Sequence, residues 1–182
     1  MNKLVKLTEK IKDKKLRKKV KDFLEDLRLS NKFFSYEPED IEKIRTPFSV
    51  GGGPLVLRDV VNHTIAVVEC CEKIANVFEK IFNRRINKDV LIASAILHDL
   101  MKVYEYKIEN NEIRASGIKV DHSILAAMEL YSRNFPEDII HCVVSHLGNS
   151  TTPPKTMEAI ILHYVDSLLS VLEYVKEIEK TT

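Results

Sequence analysis

Four histidines and two aspartates carry the most chemical potential in this sequence. His63, the adjacent pair His98-Asp99, His122, His146 and Asp166 all fall within or beside apolar segments. Taken singly, a histidine in such a place is ordinarily a core residue whose imidazole is satisfied by a backbone carbonyl. His98-Asp99 is different, because the run from Val90 to Leu97 delivers an imidazole and a carboxylate at the end of a buried helix. Even a neutral polar group costs of order 2–7 kcal/mol to bury without a partner, and a carboxylate costs more. A metal cation removes that cost. Asp166 lies in the same kind of setting, between Ala159–Val165 and Ser167-Leu168-Leu169. Mixed imidazole and carboxylate donors suit Mn, Fe, Co, Ni or Zn better than calcium, with Mg retained where carboxylates dominate. The expected cofactor is therefore one or two divalent ions, with manganese or iron favoured.

Three further residues belong to the same inspection. Lys102 follows Asp99 by three positions, and alone it reads as a cation opposing a helix macrodipole. His163 precedes Asp166 by three, so it shares a helix face and either contacts ligands or substrate or simply packs. His141 lies five residues before His146, roughly 140° around a helix, and is left as structural or exposed.

These residues need helices to bring them together, and the hydrophobic spacing supplies them. An amphipathic helix is expected from Leu4 to Leu27, a short helix from Pro38 to Ile44, and a loop from Thr46 to Pro54 around Gly51-Gly52-Gly53. That triple glycine lacks the Lys-Ser/Thr of a phosphate-binding loop. Longer helices are expected at Leu57–Phe82, carrying His63, and at Lys88–Lys102, capped by Asn87. Period-two alternation over residues 104–114 around Asn110-Asn111 predicts one small β-hairpin. Helices then return at Ser123–Asn134, with Asp121 as cap, at Pro136–His146, and at Thr156–Lys180. The fold class is all-α, with an N-terminal basic helical extension over 1–50 packed on a domain over 51–182.

Composition narrows the function classes. No stretch approaches the ~20 apolar residues needed to span a bilayer, which predicts a cytoplasmic protein with no membrane partner. Three cysteines, two of them adjacent, fit neither a disulfide framework nor a CxxC zinc pattern. Residues 1–28 hold eleven Lys/Arg against five Asp/Glu. That segment reads either as a phosphate-tracking surface or, with more weight, as a solvated helix face. Its apolar stripe needs a partner surface, which leaves a homodimer through this helix as one expectation and docking on its own domain as the other.

The run His63, Leu97-His98-Asp99-Leu100-Met101-Lys102, Asp121-His122, Ser145-His146-Leu147-Gly148 and Asp166 resembles the HD-domain superfamily of metal-dependent phosphohydrolases over residues 55–175. Within it, Gly52-Gly53-Pro54-Leu55 leading to Asn62-His63, and Glu158–Asp166 after Pro153-Pro154, look most like the HD domain of bacterial 3′-to-5′ exoribonucleases. The resemblance implies an HD helical bundle. It implies that His63, His98, Asp99 and Asp166 hold a first metal, and that Asp99, His122 and His146 hold a second, with Asp99 bridging. Lys102 matches the lysine beside the phosphate, so Asp99 and Lys102 are the expected catalytic residues. Met101 replaces a usual glycine, Leu147 stands where a second histidine often lies, and Asn62 stands where an acidic residue often precedes the first histidine. The implied activity is hydrolysis of a phosphodiester or phosphomonoester on a nucleotide or RNA 3′ end by metal-activated hydroxide. The alternative is a non-catalytic, metal-stabilised helical module that binds RNA or protein.

Overall fold

The structure is a computed structural model describing residues 2–110, 112–148 and 151–180. At the N-terminus the chain forms α1 (Asn2–Leu7), a 3₁₀ turn (Thr8–Lys10) and α2 (Lys14–Glu25), not the single helix that the spacing predicts. Asp13 is the reason for the break. Its carboxylate accepts from the Lys15 and Leu16 amides and so starts a new helix. The break is clamped from outside, where Asp89 accepts from the amides of Lys12 and Asp13 at 2.7 and 2.9 Å.

Leu4, Ile11, Val20, Phe23 and Leu24 of this segment are fully or almost fully buried in the chain's own core. Each such side chain contributes about 1.5–3 kcal/mol. The apolar face on which a homodimer was expected is thus covered from within. Part of the basic face is also paired: Lys10 with Glu69 and Glu72, Arg17 with Glu9, Lys18 with Asp22 and Lys21 with Glu25.

The Pro38–Ile44 segment is a turn rather than a helix. Asp40 accepts from the Glu42 amide through its side chain, while Glu39 donates its own amide to the Val103 carbonyl and is drawn away. Beyond it lies a hairpin that the sequence reading takes for loop. β1 (Arg45–Phe48) pairs antiparallel with β2 (Val56–Asp59), in register Arg45 to Asp59 and Phe48 to Val56. Pro47 is tolerated because a two-stranded sheet has free edges. A domain boundary at residue 50 falls in the connection of this hairpin.

Asp59 ends β2 and caps α3 (Val60–Phe82), accepting from the Asn62 amide. Asn87 caps α4 (Lys88–Leu97), whose residues from Val90 to Leu97 are all buried. This helix is the hub, packing against α2 and α3 and against the two later helices α6 (Glu137–Val144) and α7 (Met157–Glu179). It stops at Leu97, and a 3₁₀ turn over Leu100–Tyr104 replaces the helix expected to run to Lys102. Met101 is fully buried there, so the position takes a core side chain where the family pattern has a glycine. The predicted hairpin forms as β3 (Tyr106–Glu109) and β4 (Glu112–Ala115); of its turn pair, Asn110 has φ 52°, and Asn111 lies outside the described residues. Asp121 caps α5 (His122–Ser132), and Thr156 caps α7.

Candidate metal centre

Five places in the fold deliver the six candidate ligands. His63 stands on the first turn of α3, His98 and Asp99 follow the last residue of α4, and His122 is the first residue of α5. His146 lies just past α6, and Asp166 is midway along α7. All six are buried. Neighbouring imidazole rings lie 5.6 Å apart for His63 and His98, 5.0 Å for His98 and His146, and 5.4 Å for His122 and His146.

The partners of each Nδ1 fix which ring nitrogen carries the lone pair. His98 Nδ1 donates to the Ala95 carbonyl at 2.8 Å, and His146 Nδ1 to the Val143 carbonyl at 2.6 Å, each three residues back in its own chain. His63 Nδ1 donates to Glu173 Oε1 at 2.9 Å, and His122 Nδ1 to Glu105 Oε1 at 2.8 Å. Every Nε2 is thereby turned toward the aspartates, with His63 Nε2 in hydrogen-bond contact with Asp166 Oδ1, the arrangement in which an outer acceptor orients a metal-binding imidazole.

The inner atoms confirm the mismatch. Asp99 Oδ1 lies 3.2 Å from His122 Nε2 and 3.6 Å from His146 Nε2, while Asp99 Oδ2 lies 3.6 Å from His98 Nε2. Asp166 Oδ1 is 2.9 Å from His63 Nε2 and 4.0 Å from His98 Nε2. His98 Nε2, His122 Nε2, His146 Nε2 and Asp99 Oδ1 are buried without a hydrogen-bond partner. Each orphaned group costs about 1–3 kcal/mol, so four of them together amount to a large fraction of a domain's stability. A divalent cation fits this donor set and would relieve it. Two groups of donor atoms lie within 4.8 Å of one another: those of His63, His98 and Asp166, and those of His98, Asp99 and His146.

The ionisation states differ across the cluster: burial opposes protonation of His63 and His122, but Asp166 and Glu173 around His63, and Asp99 and Glu105 around His122, outweigh it and raise both. Burial pushes the His98 imidazole down to about 3, which keeps it neutral and able to ligate. Burial also opposes ionisation of Asp99, but Lys102, His98, His122 and His146 outweigh it and hold the carboxyl well below its usual range. Asp166 is held low in the same way, by His63 and His98 against burial.

Lys102 sits at the edge of the cluster, with Nζ 2.8 Å from Asp99 Oδ2 and its side chain 12% exposed. His163 does not join the cluster. Its Nδ1 donates to the Ser145 carbonyl at 3.2 Å, which ties α7 to the residue before His146. His141 accepts from the Lys155 amide. Leu147 is partly buried, and Asn62 is exposed and bonded to Asp59.

Three residues that the sequence reading misses complete the surroundings. Glu173 and Glu105 orient His63 and His122, and Arg58 donates from Nε to Glu173 Oε2 at 3.0 Å and from Nη2 to Ser170 Oγ at 2.7 Å. Arg58 Nη1 also lies 4.0 Å from Asp99 Oδ2. Glu173 stands seven residues after Asp166, two turns along one helix face, which is a signal that could have exposed it. Arg58 gives no such signal, because the unexpected hairpin carries it.

A family model described as the HD domain matches residues 60–170. The chain is 37% identical over 169 residues to the dihydroneopterin 2′,3′-cyclic phosphate phosphodiesterase of Methanocaldococcus jannaschii, an alignment that covers 91% of this chain and 67% of that protein. No solved structure matches.

Proposed function

Since the chain belongs to the HD domain family and is a metal-dependent phosphohydrolase, we propose that it opens a small cyclic phosphodiester of a nucleotide-like molecule. The observation that carries this reading is the set of three imidazole nitrogens and one carboxylate oxygen left unpartnered at the centre of the fold. The substrate class is supported by the likeness to a 2′,3′-cyclic phosphate phosphodiesterase. In this reading His63, His98, Asp99 and Asp166 hold one divalent ion and Asp99, His122 and His146 hold a second. Manganese or iron is favoured by the mixed nitrogen and oxygen donors. When bound, such ions supply an activated water and offset charge on the phosphoryl oxygens.

The protein's own groups do the rest. Glu173 and Glu105 keep Nδ1–H of His63 and His122 turned outward, so that their Nε2 lone pairs stay available. Lys102 provides a fixed cation at the rim, where a transferring phosphoryl group gains negative charge. Arg58 adds a second cation, with Nη1 4.0 Å from Asp99 Oδ2. In the reaction the water oxygen bonds to phosphorus, one ring P–O bond breaks, and the departing oxygen takes a proton. The product is a phosphomonoester.

Among the described residues no helix is long and apolar enough to cross a membrane. Three free cysteines, two of them buried, suit the reducing cytoplasm that we propose. The division into a 1–50 extension and a 51–182 HD domain belongs to the same proposal, with α1 and α2 docked on the HD helices.

The test offers the protein, loaded with Mn²⁺ or Fe²⁺, dihydroneopterin 2′,3′-cyclic phosphate, nucleoside 2′,3′- and 3′,5′-cyclic phosphates, a phosphomonoester and a 5′-labelled oligoribonucleotide. Ring opening to a monophosphate without release of inorganic phosphate is the expected result. Release of mononucleotides from the oligomer alone would overturn the small-substrate reading and restore the RNA 3′ end.

A further inference from the structure

Between Ile160 and Val175, α7 carries apolar side chains on both its inner and its outer side. One side of it, with Asp166 and Glu173, serves the metal centre, yet Tyr164, Leu168, Val171, Leu172 and Val175 stand on the opposite side, each 44–66% exposed. Their spacing of four, three, one and three residues is a single helical stripe. α3, which packs against α7, adds Ile74, Val77, Ile81 and Phe82 at 40–65% exposure. Apolar patches beyond a few hundred Å² on a soluble protein mark an interface.

We propose that this face is the contact between two copies of the chain, with α7 lying antiparallel to α7 of the second copy across a two-fold axis. Area is the first argument. The nine side chains together offer on the order of 800 Å² per copy, the amount that a standard stable interface takes from each partner. The second is self-complementarity, which a two-fold contact demands of one surface. Glu158 and Lys176 stand about five helical turns apart on one edge of α7, with the stripe between them. An antiparallel pairing centred on Ser167 therefore aligns the apolar stripes and brings Lys176 of each copy level with Glu158 of the other. A lipid surface fits less well, because helices that lie on membranes flank their apolar face with Lys and Arg. Here the flanking charges are mixed, with Glu158, Glu177 and Glu179 beside Lys176 and Lys180. The metal centre lies on the far side of α7, so this contact is separate from the catalytic reading.

Sedimentation velocity of the full chain from about 2 to 200 μM tests the proposal. The expected result is a dimer with a dissociation constant in the low micromolar range or below, about −8 kcal/mol. Leu168→Glu and Leu172→Glu should each weaken it by about 100-fold while metal content and circular dichroism stay as in the wild type. Lys176→Glu should weaken it as well, and Glu158 is left unchanged because it also accepts from the Asn87 amide. A wild-type monomer at 200 μM, a dimer unchanged in the Leu168→Glu/Leu172→Glu double variant, or a monomer that co-sediments with phosphatidylglycerol vesicles would each overturn the proposal.

Discussion

Replacing Glu173 by Gln isolates the role of the groups behind the ligands. Glu173 joins two elements: Oε1 accepts from His63 Nδ1 at 2.9 Å, and Oε2 accepts from Arg58 Nε at 3.0 Å. Glutamine keeps the shape and one acceptor but removes the charge. The His63 imidazole loses a charge that raises its basicity, and the single amide oxygen serves either His63 Nδ1 or Arg58 Nε, leaving the other facing an amide NH₂. Loss of a carboxylate behind a metal-binding histidine typically lowers affinity 10–100-fold, which is about 1.4–2.7 kcal/mol. Part of the effect should come from Arg58, so the double variant Arg58→Met/Glu173→Gln should lose less than the sum of the two single changes. Competition of Mn²⁺ or Zn²⁺ against a fluorescent chelator reads the affinity directly, and circular dichroism checks that the fold is intact. A Glu173→Gln protein whose metal affinity stays within twofold of wild type would refute the argument that Glu173 positions His63.

Other outcomes follow from the same geometry. Lys102→Met should retain metal, because the ions themselves compensate Asp99, while kcat falls by about 100-fold as a cation beside the phosphoryl group is lost; metal analysis with steady-state kinetics separates the two effects. Chelation should lower the thermal midpoint. Restoring metal at about 100 times its dissociation constant should return about 2.7 kcal/mol, readable by calorimetry. In thiol labelling of the native protein at pH 8, Cys71 and Cys142 should react far more slowly than Cys70, because burial pushes the Cys142 thiol to about 11 and raises Cys71 further. Equal labelling of all three would contradict the buried placement of the first two.

The long helices were legible because their burial is one-sided or complete over many turns. Val90–Leu97 reads as a buried helix before any fold is known, and with it the need for a cation at His98-Asp99. The caps Asn87, Asp121 and Thr156 mark their helices within a residue or two. What stayed hidden was decided by contacts distant in sequence. Asp89 reaches back to residues 12 and 13 and fixes the break between α1 and α2, and nothing local to that stretch announces it. The β1–β2 hairpin escaped because Pro47 and the glycine run argue for loop. Its pairing and its packing against α7 hold it instead. Arg58 escaped with it. Glu105 and Glu173 were missed because a carboxylate on a helix or turn looks the same whether it faces water or an imidazole.

The four imidazoles at the centre are set by two different kinds of acceptor. His98 and His146 give their Nδ1 protons to carbonyls in the last turns of α4 and α6, groups that a helix end leaves without partners in any case. No side-chain substitution removes those acceptors, so the tautomer of this inner pair is inherited from the backbone. His63 and His122 depend on Glu173 and Glu105, each of which a single codon change can neutralise. The centre thus divides into a hard-wired half and an adjustable half, and variation in metal preference among chains built on this plan should be written at the glutamates before it is written at the ligands.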